Sequence, residues 1–128
     1  MVASESNGFH IKIVTSYIPS YEMQAPFAYF FSYQITIKNI SNQTGQLVSR
    51  FWLITDGIGR TEEVKGLGVV GEQPIIDPGN SFTYTSGYPL ISPFGTMQGH
   101  YTFLNLMTKQ TYKVEIPLFE LIPNFALN

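Results

Sequence analysis

The 128-residue chain contains no cysteine. That excludes a disulfide framework and any thiolate metal site, and leaves packing and strand pairing to hold the fold. Charge is scarce as well: Asp, Glu, Lys and Arg make up 12% of the residues, against roughly 25% in an average soluble domain. Seven basic and nine acidic residues give a formal net charge of -2. This balance offers no basic field for a phosphate backbone, so no nucleic-acid partner is expected. The only histidines are His10 and His100, far apart in sequence, and Glu62 and Glu63 face opposite ways if they lie in a strand. The turns at Asp56 and Asp77 lack the dense oxygen array of a dedicated cation loop. No protein-only metal site and no cofactor are therefore expected. Long apolar runs are missing too: nowhere do about 18 apolar residues follow one another, and Met1 to Gly8 has neither a basic n-region nor an apolar h-region. The expectation is a cytoplasmic protein with no membrane partner, which suits a chain without cysteine.

Aromatic residues, by contrast, reach 15%, and helical periodicity gives way to alternation. Phe9, Ile11 and Ile13 alternate with His10 and Lys12. Phe31, Tyr33, Ile35 and Ile37 alternate with Ser32, Gln34, Thr36 and Lys38, as in a central strand with one buried face. Further strands are predicted over Gln46 to Asp56, Thr61 to Lys65, Ser81 to Ser86, Met97 to Leu106 and Gln110 to Ile116. Between them lie turn signals: Asn39 to Gly45, Asp56-Gly57, Asp77-Pro78-Gly79-Asn80, and a longer connection from Tyr88-Pro89 through Pro93-Phe94-Gly95. About seven or eight short strands with no crossover helix predict an all-β sandwich or barrel. One domain is expected over residues 1–128, ordered over roughly 9–123, with loose tails before Phe9 and after Pro123. The sequons Asn39-Ile40-Ser41 and Asn42-Gln43-Thr44 are read as a turn rich in hydrogen-bonding side chains.

Gly66-x-Gly68-x-x-Gly71 has the spacing of a dinucleotide-binding fingerprint, but Pro74 and Pro78 follow where that motif needs a helix. These glycines are expected to make a bulge or a close backbone approach. The sharper alternative is an anion-binding nest of backbone amides with Lys65 beside it. Arg50 and Trp52, two apart, share one face of their strand. Arg50 is expected to stack on an aromatic ring while pairing Asp56, Glu62 or Glu63, or else to grip an anionic group. The candidate ligand-binding set is thus Lys65, Gly66, Gly68, Gly71 and Arg50. No catalytic residue is assigned: Ser86-Gly87 is not a nucleophile elbow, and no nucleophile and base stand at a telling spacing. Tyr21, Met23, Pro26, Phe27, Phe125 and Leu127 are apolar residues of loops or termini, suited to covering the ends of the sandwich or to recruiting a partner.

Several runs in order, Arg50-Phe51-Trp52-Leu53-Ile54-Thr55-Asp56, Gly66-Leu67-Gly68-Val69-Val70-Gly71-Glu72-Gln73-Pro74, Tyr84-Thr85-Ser86-Gly87, Pro93 to Tyr101 and Ile116-Pro117-Leu118-Phe119, resemble the ApaG family across nearly the whole chain. The resemblance implies an immunoglobulin-like or fibronectin type III-like sandwich. Such a module is found alone in bacteria and joined to other domains in eukaryotes, has no established molecular activity, and is linked to cobalt and magnesium efflux. Phe51 stands where many members carry His, which removes a possible ligand. A reused module of this kind implies a non-enzymatic binding domain, with an unidentified protein partner or a second copy in a homodimer. The alternative is a phosphorylated nucleotide such as diadenosine tetraphosphate, held at the glycine-rich loop.

Overall fold

The computed structural model describes residues 1–123. The alternating runs become nine strands: β1 (Val2–Ser6), β2 (Phe9–Tyr17), β3 (Tyr29–Asn39), β4 (Gly45–Asp56), β5 (Thr61–Leu67), β6 (Ile75–Ile76), β7 (Ser81–Leu90), β8 (Gly95–Asn105) and β9 (Thr111–Leu121). One sheet has the order β1-β2-β3-β7, the other β5-β4-β8-β9, with β6 beside Gly45 and Gln46 of β4. All pairings are antiparallel. The two sheets form an all-β sandwich. Its core follows the predicted alternation: Phe9, Ile11 and Ile13 of β2 and Phe31, Ile35 and Ile37 of β3 are almost wholly buried against Tyr101, Phe103 and Phe119 of the other sheet. Each such side chain contributes about 1.5–3 kcal/mol of burial free energy.

Three differences from the sequence expectation bear on the architecture. Order begins before Phe9, because Val2 to Ser6 pair with Ile13 to Phe9 through a turn in which Asn7 and Gly8 both have positive φ, 46° and 86°. That Asn-Gly pair is a hairpin signal in its own right. β7 does not stop at Ser86 but runs through Tyr88 and Pro89 to Leu90, opposite Tyr29 to Tyr33. Proline is tolerated there because β7 is an edge strand. Ile75 and Ile76 add a two-residue strand in what reads as loop. The tail after Pro123, with Phe125 and Leu127, lies outside the described residues. The sequon region is a hydrogen-bonded turn as expected: the buried Asn39 donates through Nδ2 to the carbonyls of Gln43 and Ile76, both at 2.8 Å, and accepts from Ser41.

The feature that positions the site is a bulge in β4. Leu47 lies opposite Phe103 and Ser49 opposite Thr102, so Val48 is the extra residue. An uninterrupted strand with Leu47 facing inward would turn Arg50, Trp52 and Ile54 outward. The extra residue reverses the alternation, and Trp52 and Ile54 enter the core. Arg50 goes in with them.

Candidate functional site

β1 and β9 meet along one side of the sandwich, where the Glu115 amide donates to Ser6 Oγ and Asn7 Nδ2 donates to the Lys113 carbonyl. On the other side β5 and β7 are the last strands of their sheets. Between them lies a cleft of about 280 Å3. Trp52, Ile54 and Val64 line it from one sheet and Tyr33, Tyr84, Ser86 and Tyr88 from the other, with the Val70-Gly71 turn at its rim.

Arg50 reaches into this cleft with only part of its hydrogen-bonding capacity used. Nη1 donates to the carbonyls of Leu67 and Gly68, each at 3.0 Å, which fixes the guanidinium in place. Gly66, directly opposite on β5, makes room for it, since a Cβ there would come within 2.7 Å of Nη2. Among the described residues no protein acceptor engages Nη2 or Nε, and the one ion pair, Arg60 with Asp56 at 4.0 Å, involves other residues. The expected pairing of Arg50 with Asp56, Glu62 or Glu63 is therefore not what forms. Glu62 instead faces Tyr88, and Asp56 accepts from the amides of Ile58 and Arg60 in its own turn.

The groups facing Arg50 are neutral. Burial raises the Tyr33 phenol above its ordinary value, while the Ser86 hydroxyl and the Arg50 charge pull the other way. Tyr84 is raised further, again mainly by burial, and bonds Tyr101 oxygen to oxygen at 2.6 Å. Burial also raises Tyr88, with the Glu62 carboxylate adding to the effect. Among the described residues no histidine and no carboxylate lines the cleft. The site holds a fixed cation beside hydroxyl groups, suited to receiving an anion and lacking a base that titrates near neutrality.

The five candidate residues from the sequence do not all line one cavity: Arg50, Lys65 and Gly66 border an outer depression together with Phe51 and His100, while Arg50 and Gly71 line the cleft. Arg50, Gly66 and Gly68 meet, and Gly71 lines the rim of the same cleft. Lys65 lies on the opposite face of the sheet, its Nζ 5.7 Å from the Phe51 ring, and Phe51 stacks on His100 at 5.2 Å. The glycine segment is tied into the fold. Gly68 N donates to the carbonyl of the bulge residue Val48 at 2.8 Å, and Val69 and Glu72 exchange backbone bonds of 2.8 and 2.9 Å across Val70 and Gly71. With φ of 43° and 81° at those two residues, this is a two-residue turn of the I′ kind. Two of the amides a nest would need are thus already donating within the protein. Sequence reasoning missed Tyr33, Tyr84, Ser86 and Tyr88 as site residues, because pairing across sheets leaves no local signal. The polar Ser86 on an inward-facing position was the one available hint. Among the described residues no three His, Asp or Glu side chains converge as a metal site would need, and no helix is long and apolar enough to cross a membrane.

Comparison with known proteins gives a consistent result. A family model described as the ApaG domain matches residues 19–105. The chain is 46% identical over 111 residues to Protein ApaG of Erwinia tasmaniensis, covering 87% of this chain and 88% of the relative. It is 55% identical over 93 residues to Protein ApaG of Mesorhizobium japonicum, covering 73% and 71%. Among solved structures, a crystal structure described as the putative ApaA protein from Bordetella pertussis superposes with a TM-score of 0.85 at 37% identity, covering 97% of this chain and 98% of that one.

Proposed function

The chain belongs to the ApaG domain family, a name that describes no reaction, and on that premise we propose that it is a non-enzymatic binding module that holds a partner protein in the cleft between β5 and β7. The observation that carries this reading is Arg50: an arginine turned inward by a bulge, fixed through one nitrogen, and left without a carboxylate. A charge half removed from water and lacking a counter-ion is costly unless a ligand supplies one. The absence of histidine and carboxylate from the cleft wall, together with phenols held neutral, supports binding over turnover. Any role in cobalt or magnesium homeostasis would then act through the bound partner.

The same guanidinium favours a second reading. A phosphate group would satisfy it as well as a carboxylate does, so a phosphorylated nucleotide would be held at Arg50 with Gly66 and Gly68 as its supports, and Lys65 would take no part. Two measurements on the parent chain and Arg50→Met separate these readings. Affinity capture from a bacterial lysate should retain a protein on the parent that is lost on an Arg50→Met variant of equal melting temperature. Calorimetry with inorganic phosphate, ATP and diadenosine tetraphosphate should show a nucleotide bound far more tightly than phosphate if the second reading holds. Identical captured proteins on both chains, with no heat from any phosphate compound, would show that Arg50 holds no ligand.

A further inference from the structure

From Ser81 to Gly87 the outer edge of β7 is unguarded, and it borders the Arg50 cleft. Because Asn39 N donates to the Asn80 carbonyl at 2.9 Å, and the register then runs without a break from Lys38 opposite Ser81 to Tyr29 opposite Leu90, the hydrogen-bonding phase of β7 is fixed. Residues Phe82, Tyr84, Ser86 and Tyr88 bond to β3, while Ser81, Thr83, Thr85 and Gly87 turn their N–H and C=O groups away from the sheet. Pro89 falls in this outward set, where its missing N–H disturbs no bond. Among the described residues no other segment bonds to these outward groups.

Proteins protect such edges with charge, bulges or proline. The other edges follow that rule: β1 carries Glu5, β5 carries Glu62, Glu63 and Lys65, and β9 carries Lys113, Glu115 and Glu120 with a bulge at Pro117. From Ser81 to Leu90, β7 has no charged residue, and its outward-facing positions bear only serine, threonine and glycine until Pro89.

We propose that β7 is a docking edge for an extended polypeptide segment bearing an acidic side chain, which adds as a fifth strand to the β1-β2-β3-β7 sheet and sets its carboxylate against Arg50. This rests on the cleft reading above and names its ligand class. An added strand lies about 4.8 Å from β7, and alternate side chains point to the same side as Tyr84, Ser86 and Tyr88, into the cleft. Charge selects the occupant. A second copy of this chain pairing β7 with β7 would present only Phe82, Tyr84, Ser86 and Tyr88 on that side, none of them anionic. It would cover the edge and leave Arg50 without a counter-ion, whereas an acidic segment satisfies both.

The test uses the full chain and a blocked peptide of alternating threonine and valine with one central glutamate, its glutamine counterpart, and sodium acetate. Amide hydrogen exchange and Trp52 fluorescence are the readouts. The glutamate peptide should slow exchange at the Thr83 and Thr85 amides and bind about tenfold more tightly than the glutamine peptide, the difference expected of one charge-assisted hydrogen bond. Arg50→Met should abolish that difference. Thr83→Lys, a surface change that restores a guarding charge, should weaken both peptides yet leave the acetate response of Trp52 intact. If neither peptide protects those amides while acetate still moves Trp52 in the parent and not in Arg50→Met, strand addition is overturned and the cleft reading stands. If acetate has no effect either, both fall. Protection of Thr83 and Thr85 that grows with protein concentration alone identifies a second copy as the occupant and also overturns the proposal.

Discussion

Gly68 and Gly71 sit three residues apart in one glycine-rich segment, yet the fold needs them for different reasons. Both have positive φ, 60° and 81°, but a Cβ at Gly68 would stand 2.0 Å from the Glu72 carbonyl oxygen, and one at Gly71 would meet nothing within 4 Å. Gly71→Ala should therefore cost only the backbone strain, on the order of 1 kcal/mol. Gly68→Ala must displace backbone as well and should cost at least about twice as much. Thermal melts give the order; equal melting temperatures for the two variants would mean that the turn is free to shift. The glycine spacing was legible in the sequence, and so was its poor fit to a helix. What it could not reveal is that Gly66 is kept bare for the Arg50 guanidinium, because that contact joins residues on two strands. Val70, at φ 43° and exposed, is a β-branched residue in the left-handed region, and I′ geometry at the turn demands that conformation at both central positions.

At the scale of elements, the strands of the core were readable because burial on one face imposes a period of two. Phe9 to Ile13 and Phe31 to Ile37 show it without interruption. β1 escaped because Ser4 and Ser6 fill its inward positions, which leaves Val2 as its only apolar contribution. The Val48 bulge escaped for a different reason: one inserted residue leaves composition untouched and changes only which face each later side chain takes. The two sheets are also joined by a polar bond, Tyr84 of β7 to Tyr101 of β8, with both rings buried. Tyr84→Phe or Tyr101→Phe leaves the other hydroxyl buried without a partner and should cost about 1–3 kcal/mol in either case. The double variant should cost clearly less than the sum of the two, since it removes both groups that need satisfying. Chemical denaturation of the three variants measures the coupling, and strict additivity would show that water reaches the pair.

For the whole molecule, buried phenols should lower stability at alkaline pH. Tyr33, Tyr84 and Tyr101 all have pKa values raised above the ordinary 10, chiefly by burial. In the folded protein they keep their protons at a pH where the unfolded chain loses them. Stability from this source is complete below pH about 10 and declines as pH rises beyond it toward the raised values, because the unfolded state then binds fewer protons. Melting temperature should be flat through neutrality and fall steadily above pH about 10, and Tyr101→Phe should lessen that fall. The all-β sandwich followed from composition and alternation. The placement of the cleft did not, since it depends on which strands end their sheets, and only long-range pairing decides that.

A ligand held by Arg50 enters from the inner face of the β4-β5 pair, and one measurement separates the two faces directly. In a nitrogen-proton correlation spectrum of the full chain, inorganic phosphate or acetate should shift the Arg50 Nε–H and the Trp52 indole N–H together, while the amides of Phe51, Lys65 and His100 stay in place. Movement of Lys65 and His100 with Arg50 and Trp52 unchanged would contradict binding at Arg50 and put the binding surface on the outer face of the sheet.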